Sequence, residues 1–113
     1  MTAFRLFSLP AHGALEMLVG LGLMFSPFLL GFGDTAMLLS VVLGALLVGV
    51  ALGAADSTHI SAHYAADVVT VFVLFGAGIL LALGGQREPA LLLVVAACAQ
   101  LTLNLTTRYS AAR

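Results

Sequence analysis

His12 and Glu16 stand four residues apart, and His59, His63 and Asp67 follow one another at the same interval. On a helix that spacing puts each set on one face. Gln100 and Asn104 repeat it farther along. Imidazole beside carboxylate supports three kinds of chemistry. The groups can satisfy one another as a polar knot that fixes helix register. An acid can exchange a proton and couple it to movement of a small solute, because ionisable residues inside a membrane mark such sites. The imidazoles can also hold a metal ion or haem: His59 and His63 have the interval of a ligand pair, with His12 as a third. No HExxH glutamate and no cysteine partner accompanies them. No metal or cofactor is therefore assigned. No complete catalytic motif is present, and the chain is expected to be non-enzymatic.

The elements that position these groups follow from composition. The chain has 113 residues, of which 62% are hydrophobic and 8% charged, with a mean hydropathy of +1.18. A soluble domain covers itself with roughly 25% charged residues, so the solvent here is lipid. Crossing about 30 Å of hydrocarbon takes about 20 apolar residues per helix. The length allows four such spans with very short connections and no separate soluble domain. A net charge of −1 excludes nucleic acid as a partner, since that needs a clustered basic surface. Cys98 is the single cysteine, so no internal disulfide forms; it reads as a small core residue. The apolar run after Arg5 is too long for a signal peptide and contains Glu16, so the N-terminus is expected to be retained.

The sequence predicts an all-α, integral-membrane four-helix bundle built from two tandem transmembrane hairpins, one domain over 1–113. Helices are expected at about 10–32, 35–54, 61–83 and 89–107. Pro10 and Pro89 open the first and fourth. Turns fall at Gly31 to Asp34, at Asp56 to Thr58, and at Gly84 to Glu88. Strands are excluded, because an open sheet cannot sit in lipid and nothing alternates with period two. Arg5, Arg108 and Arg113 lie on one side and Arg87 on the other. Basic residues favour the cytoplasm, so both termini are expected on the cytoplasmic face of the inner membrane.

Hairpin topology gathers the polar groups. The starts of helices one and three and the end of helix four all lie at one surface. His12, Glu16, His59, His63, Asp67, Gln100 and Asn104 thus belong to one leaflet, and the other half of each helix is almost purely apolar. A charge at a helix centre costs roughly 2.5–3.5 kcal/mol on insertion scales. Glu16 and Asp67 must therefore face protein. Tyr64 and Tyr109 read as interfacial anchors.

The chain also repeats. Ala11-His12-Gly13-Ala14-Leu15-Glu16 aligns with Ala62-His63-Tyr64-Ala65-Ala66-Asp67 at a spacing of 51. Two hairpin repeats, about 10–55 and 61–107, would then be related by an axis along the membrane normal.

The run Gly20 to Phe32, with Ser26-Pro27-Phe28 followed by Leu29-Leu30-Gly31-Phe32, resembles the SPW-repeat family of small bacterial integral membrane proteins. Phe28 replaces the tryptophan of that signature, and Ala77-Gly78 stands where a second Ser-Pro would fall. The resemblance spans roughly residues 13–54. It implies a four-helix membrane protein and carries no activity. In physical terms, Pro27 cannot donate to the Leu23 carbonyl, so the helix is expected to bend or end there. Ser26 can bond a freed carbonyl, and Phe28 and Phe32 would sit at the interface. An acid in helix one and Gly85-Gln86-Arg87 before helix four give a superficial likeness to small multidrug transporters. The tryptophan and tyrosines lining that family's pocket are missing.

Ala45, Gly49 and Gly53 recur every four residues, a pattern that lets helices approach closely. They are expected to pack helix two on helix one, or otherwise to form a dimer seam. The functional expectation is a structural or accessory membrane protein, self-associating or a subunit of a larger complex. The alternative is a proton-coupled carrier, or a small-ligand or metal binder, using the His/acid cluster.

Overall fold

Helix ends in this chain are set by local chemistry that can be followed bond by bond. The computed structural model describes residues 6–54 and 60–109. Arg5, His59 and Arg113 lie outside them, as does the expected turn at Asp56 to Thr58. The first helix, α1 (Leu9–Leu30), is capped by Ser8, whose hydroxyl accepts from the Ala11 N–H at 3.3 Å, and Pro10 sits in its first turn. It runs through Pro27 and ends at Gly31, which takes the left-handed conformation at φ 70°. The N–H groups of Gly31 and Phe32 both reach the Pro27 carbonyl. This glycine closure is the stop. Ser26-Pro27-Phe28 lies inside the helix, within the expected bounds of 10–32, and the stop comes three residues after Pro27 and not at it. Ser26 donates to the Gly22 carbonyl at 2.5 Å. Phe28 faces outward, but Phe32 is buried under the turn and joins the core.

After Gly33, α2 (Asp34–Gly53) begins with Asp34 at its positive end. The third helix, α3 (Ile60–Leu83), closes like the first. Gly85 adopts φ 79°, Gln86 N–H donates to Leu81 O at 2.8 Å, and Gly85 N–H to Ala82 O at 3.0 Å. The fourth, α4 (Arg87–Thr106), starts two residues before Pro89. The first turn needs no donated N–H, so Pro89 fits there without cost.

Two three-residue turns force α1 against α2 and α3 against α4, as two hairpins. The hairpins then meet through α1 with α4 and α2 with α3, which leaves α1 and α3 on a diagonal. All four helices are long and apolar enough to cross a membrane. Large apolar side chains such as Leu18, Phe25, Leu29, Phe72 and Leu80 point outward. The chain is a small multi-pass membrane protein.

The interior is divided along its length. The end near the two glycine turns is filled by Leu23, Leu43, Leu47, Leu74, Leu81 and Leu93 with small alanines between them. The other end is polar. His12, Glu16, His63, Asp67, Gln100, Asn104 and Thr107 are all buried there.

The close approach of α1 to α2 uses Gly20 and Gly44. A Cβ on Gly20 would lie 2.8 Å from the Gly44 carbonyl, and one on Gly44 would lie 2.6 Å from the Gly20 carbonyl. Near the polar end, a Cβ on Gly13 would meet the Ala54 Cβ at 2.6 Å. The stripe expected to make this contact does not. Ala45, Gly49 and Gly53 are exposed, and a Cβ on Gly49 would touch nothing. The reason is angular: at about 100° per residue, Gly44, Leu47 and Ala51 share the packed face of α2, and the stripe falls on nearly the opposite face. Cys98 is likewise on the outside, one position past the buried Ala97.

Candidate functional site

Glu16 sits seven residues past the start of α1 at Leu9, and Asp67 seven residues past Ile60, the first described residue of α3. At about 1.5 Å per residue, each carboxylate is about 10 Å along its helix. The two helices start at the same level and face one another across the diagonal. Their imidazole–carboxylate pairs therefore converge on one point in the bundle interior.

The convergence is tight. His12 Nε2 lies 3.7 Å from Glu16 Oε1 and 3.0 Å from Asp67 Oδ2. His63 Nε2 lies 3.8 Å from Glu16 Oε1 and 3.2 Å from Asp67 Oδ2. Each imidazole thus faces both carboxylates, its own helix's and the opposite helix's. One ligand atom from each of these four residues lies within 4.8 Å of the other three. The two rings meet edge to face, with centroids 5.7 Å apart.

An outer layer holds His12, Glu16 and Asp67. Gln100 Nε2 donates to Glu16 Oε2 at 2.6 Å and to Asn104 Oδ1 at 3.1 Å. Asn104 Nδ2 reaches across to the Asp67 backbone carbonyl at 3.2 Å, tying α4 to α3. Thr107 Oγ1 is 2.7 Å from His12 Nδ1, and its single hydroxyl proton goes to the Leu103 carbonyl at 2.5 Å. It therefore meets His12 with a lone pair, which makes Nδ1 the protonated nitrogen. Its Nε2 is the nitrogen directed inward, toward the carboxylates. Tyr109 donates its phenol proton to Asp67 Oδ2 at 2.6 Å. Burial, then the bond to Asp67, pushes the Tyr109 phenol up from the ordinary tyrosine value. It stays a donor.

Phe7 places this last segment. Its N–H donates to the Thr106 carbonyl at 3.0 Å, and its carbonyl accepts from the Arg108 N–H at 2.8 Å. This short parallel bridge holds Thr107 and Tyr109 under the polar end of the bundle. The Tyr109 ring also packs on Tyr64, with centroids 4.7 Å apart. Neither tyrosine is only an interfacial anchor.

The donors of the outer layer are used, but most of the inner atoms have no hydrogen bond. His12 Nε2, His63 Nε2 and Glu16 Oε1 are buried without a hydrogen-bond partner among the described residues, as are Asp67 Oδ1 and Gln100 Oε1. Buried polar atoms are ordinarily paired, and a half-satisfied network is costly. Two carboxylates and two imidazoles meet there in a dry interior, where carboxylate charge has to be balanced by positive charge, from protons or from a bound cation.

The six residues expected to form the cluster, His12, Glu16, His63, Asp67, Gln100 and Asn104, are all brought together. His59, the other expected ligand, lies outside the described residues. Sequence reasoning missed Thr107 as a member and gave Tyr109 a different role. The signal for Thr107 was present: Gln100, Asn104 and Thr107 continue one helical face at intervals of four and three.

No family model, curated protein or solved structure matches the chain.

Proposed function

We propose that the chain is a non-enzymatic membrane protein of accessory type whose buried His/acid centre holds a cation. The observation that carries this is the set of inward atoms His12 Nε2, His63 Nε2 and Glu16 Oε1, buried and without hydrogen-bond partners among the described residues, while His12 and Glu16 are anchored through their outer atoms. A purely structural knot would align these atoms as hydrogen bonds, whereas His12 Nε2 and His63 Nε2 stand 3.0 and 3.2 Å from Asp67 Oδ2 without forming one. The close-packed leucines of the opposite half support a holding site entered and left from one surface, in preference to a through-going carrier. The arginine distribution supports a cytoplasmic position for that surface and for both termini. The likeness to SPW-repeat proteins fits a small accessory protein, whose partners would be lipid and a second copy or a larger membrane complex.

The test is cation-dependent stability. The purified chain in mild detergent, stripped with chelator and dialysed, is unfolded thermally with and without added sodium, ammonium, divalent cations and protons. At least one cation should raise Tm, and the paired change Glu16→Gln with Asp67→Asn should abolish the rise. Stability unaffected by every cation would overturn the reading and leave a structural knot.

A further inference from the structure

We propose that the cation is a single divalent transition ion of the zinc class, bound tetrahedrally by His12 Nε2, His63 Nε2, Glu16 Oε1 and Asp67 Oδ2. This rests on the reading of the centre as a cation site and deepens it. Four observations converge.

The first is size. Zinc bonds to imidazole nitrogen and carboxylate oxygen are about 2.0–2.2 Å. The edges of a tetrahedron with such bonds are about 3.3–3.6 Å, by the same geometry. The four nitrogen–oxygen edges here are 3.0, 3.2, 3.7 and 3.8 Å. They bracket the required length, and the two remaining edges, nitrogen to nitrogen and oxygen to oxygen, lie within 4.8 Å, so settling onto one ion asks for shifts of up to about an ångström.

The second is charge. Two carboxylates and two neutral imidazoles are balanced by one doubly positive ion, with no net charge left in the apolar bundle. The third is donor type. Two nitrogens with two oxygens suit zinc and its neighbours. Magnesium and calcium take six or more oxygens and are poorly served by imidazole.

The fourth is the surrounding layer. Metal-bound histidine typically donates its other ring N–H to an oxygen, which fixes the tautomer, and bound carboxylates are themselves hydrogen-bonded. His12 Nδ1 faces Thr107, Glu16 Oε2 accepts from Gln100, and Asp67 Oδ2 accepts from Tyr109. All four ligand positions come from protein, which is the arrangement of closed structural sites and leaves no coordination position for substrate. The ion would clamp α1 to α3, the two helices that touch each other least, and so lock one hairpin to the other.

The experiment uses the full-length chain without an affinity tag, in detergent or nanodiscs, with cobalt(II) and zinc(II) as probes. One equivalent of cobalt should bind and give the intense visible absorption of tetrahedral cobalt(II), and zinc should bleach it. Affinity should fall at least tenfold in Asp67→Asn and in His63→Gln. Thr107→Val, which touches no ligand atom of the ion, should weaken binding roughly 10–100-fold. His59→Ala should leave the spectrum unchanged. The wild-type spectrum needs no variant to fold, so the proposal stays exposed throughout. A pale octahedral spectrum, no bound cobalt, or a signal lost in His59→Ala but kept in Asp67→Asn would overturn it. If cobalt and zinc fail while another cation stabilises the chain through Glu16 and Asp67, the zinc-class assignment falls and the cation site stands. If no cation acts, both fall.

Discussion

His12 Nδ1 and Thr107 Oγ1 lie 2.7 Å apart although 95 residues separate them in sequence. The hydroxyl proton of Thr107 is committed to the Leu103 carbonyl. One threonine just past the end of α4 therefore decides which nitrogen of a buried imidazole on α1 faces the centre.

Replacing Thr107 with valine keeps the shape and removes the acceptor. The His12 N–H is then buried without a partner, at a cost of about 1–3 kcal/mol. Unfolding of the variant in detergent should show that loss, and Thr107→Ser should recover most of it. Equal stability of the valine and serine variants would mean that the hydrogen bond does not hold the ring.

Tyr109 gives a pH dependence with a definite sign. Its phenol is pushed up from 10.0 in the folded chain, so above that pH the unfolded chain binds fewer protons than the folded one. Stability is then complete below about pH 10 and falls as pH rises beyond it. Wild-type protein should lose stability through the alkaline range more steeply than Tyr109→Phe. Parallel alkaline limbs for the two would contradict the placement of the phenol against Asp67.

Gly44 and Gly49 lie on one helix and should answer oppositely. A methyl group at Gly44 drives into the Gly20 carbonyl, and forced overpacking costs about 1–3 kcal/mol. A methyl group at Gly49 meets nothing, so alanine there should be neutral or stabilise by up to about 1 kcal/mol through helix propensity. Unfolding of the two alanine variants in detergent compares them directly. The reverse ranking would put the Ala45, Gly49, Gly53 stripe back at the α1 interface.

Gly31 and Pro27 separate the helix stop from the proline. Alanine at Gly31 must adopt φ near 70°, at a cost of roughly 1–2 kcal/mol. Alanine at Pro27 restores a donor in a helix that already runs through the position. Gly31→Ala should therefore be the more destabilising of the two in denaturant titration. A larger loss from Pro27→Ala would return the helix-ending role to the proline.

How much of this was legible depended on whether the signal was local. The four helices followed from apolar runs and turn residues. His12 with Glu16 and His63 with Asp67 followed from the four-residue interval, and hairpin topology brought them to one end. Which face of a helix turns inward was harder. In an apolar helix surrounded by lipid, no polar side marks the outside, so Gly44 and Gly49 look equivalent in the sequence. Pro27 misled because a proline weakens a helix without fixing its end, and Gly31 supplied the actual reversal. The contacts of Phe7 with Thr106 and Arg108 join the two ends of the chain, and no periodicity within either segment announces such a pairing.

Thr107 and Tyr109 are two residues apart on one strand-like segment, yet they grip different arms of the centre, an imidazole on α1 and a carboxylate on α3. Peeling that short tail away would release both arms in a single movement and leave the Glu16–Gln100 arm fastened. The site thus has a latch at the C-terminal side. A binding partner that tugs on the tail would be felt first at His12 and Asp67, deep between the helices.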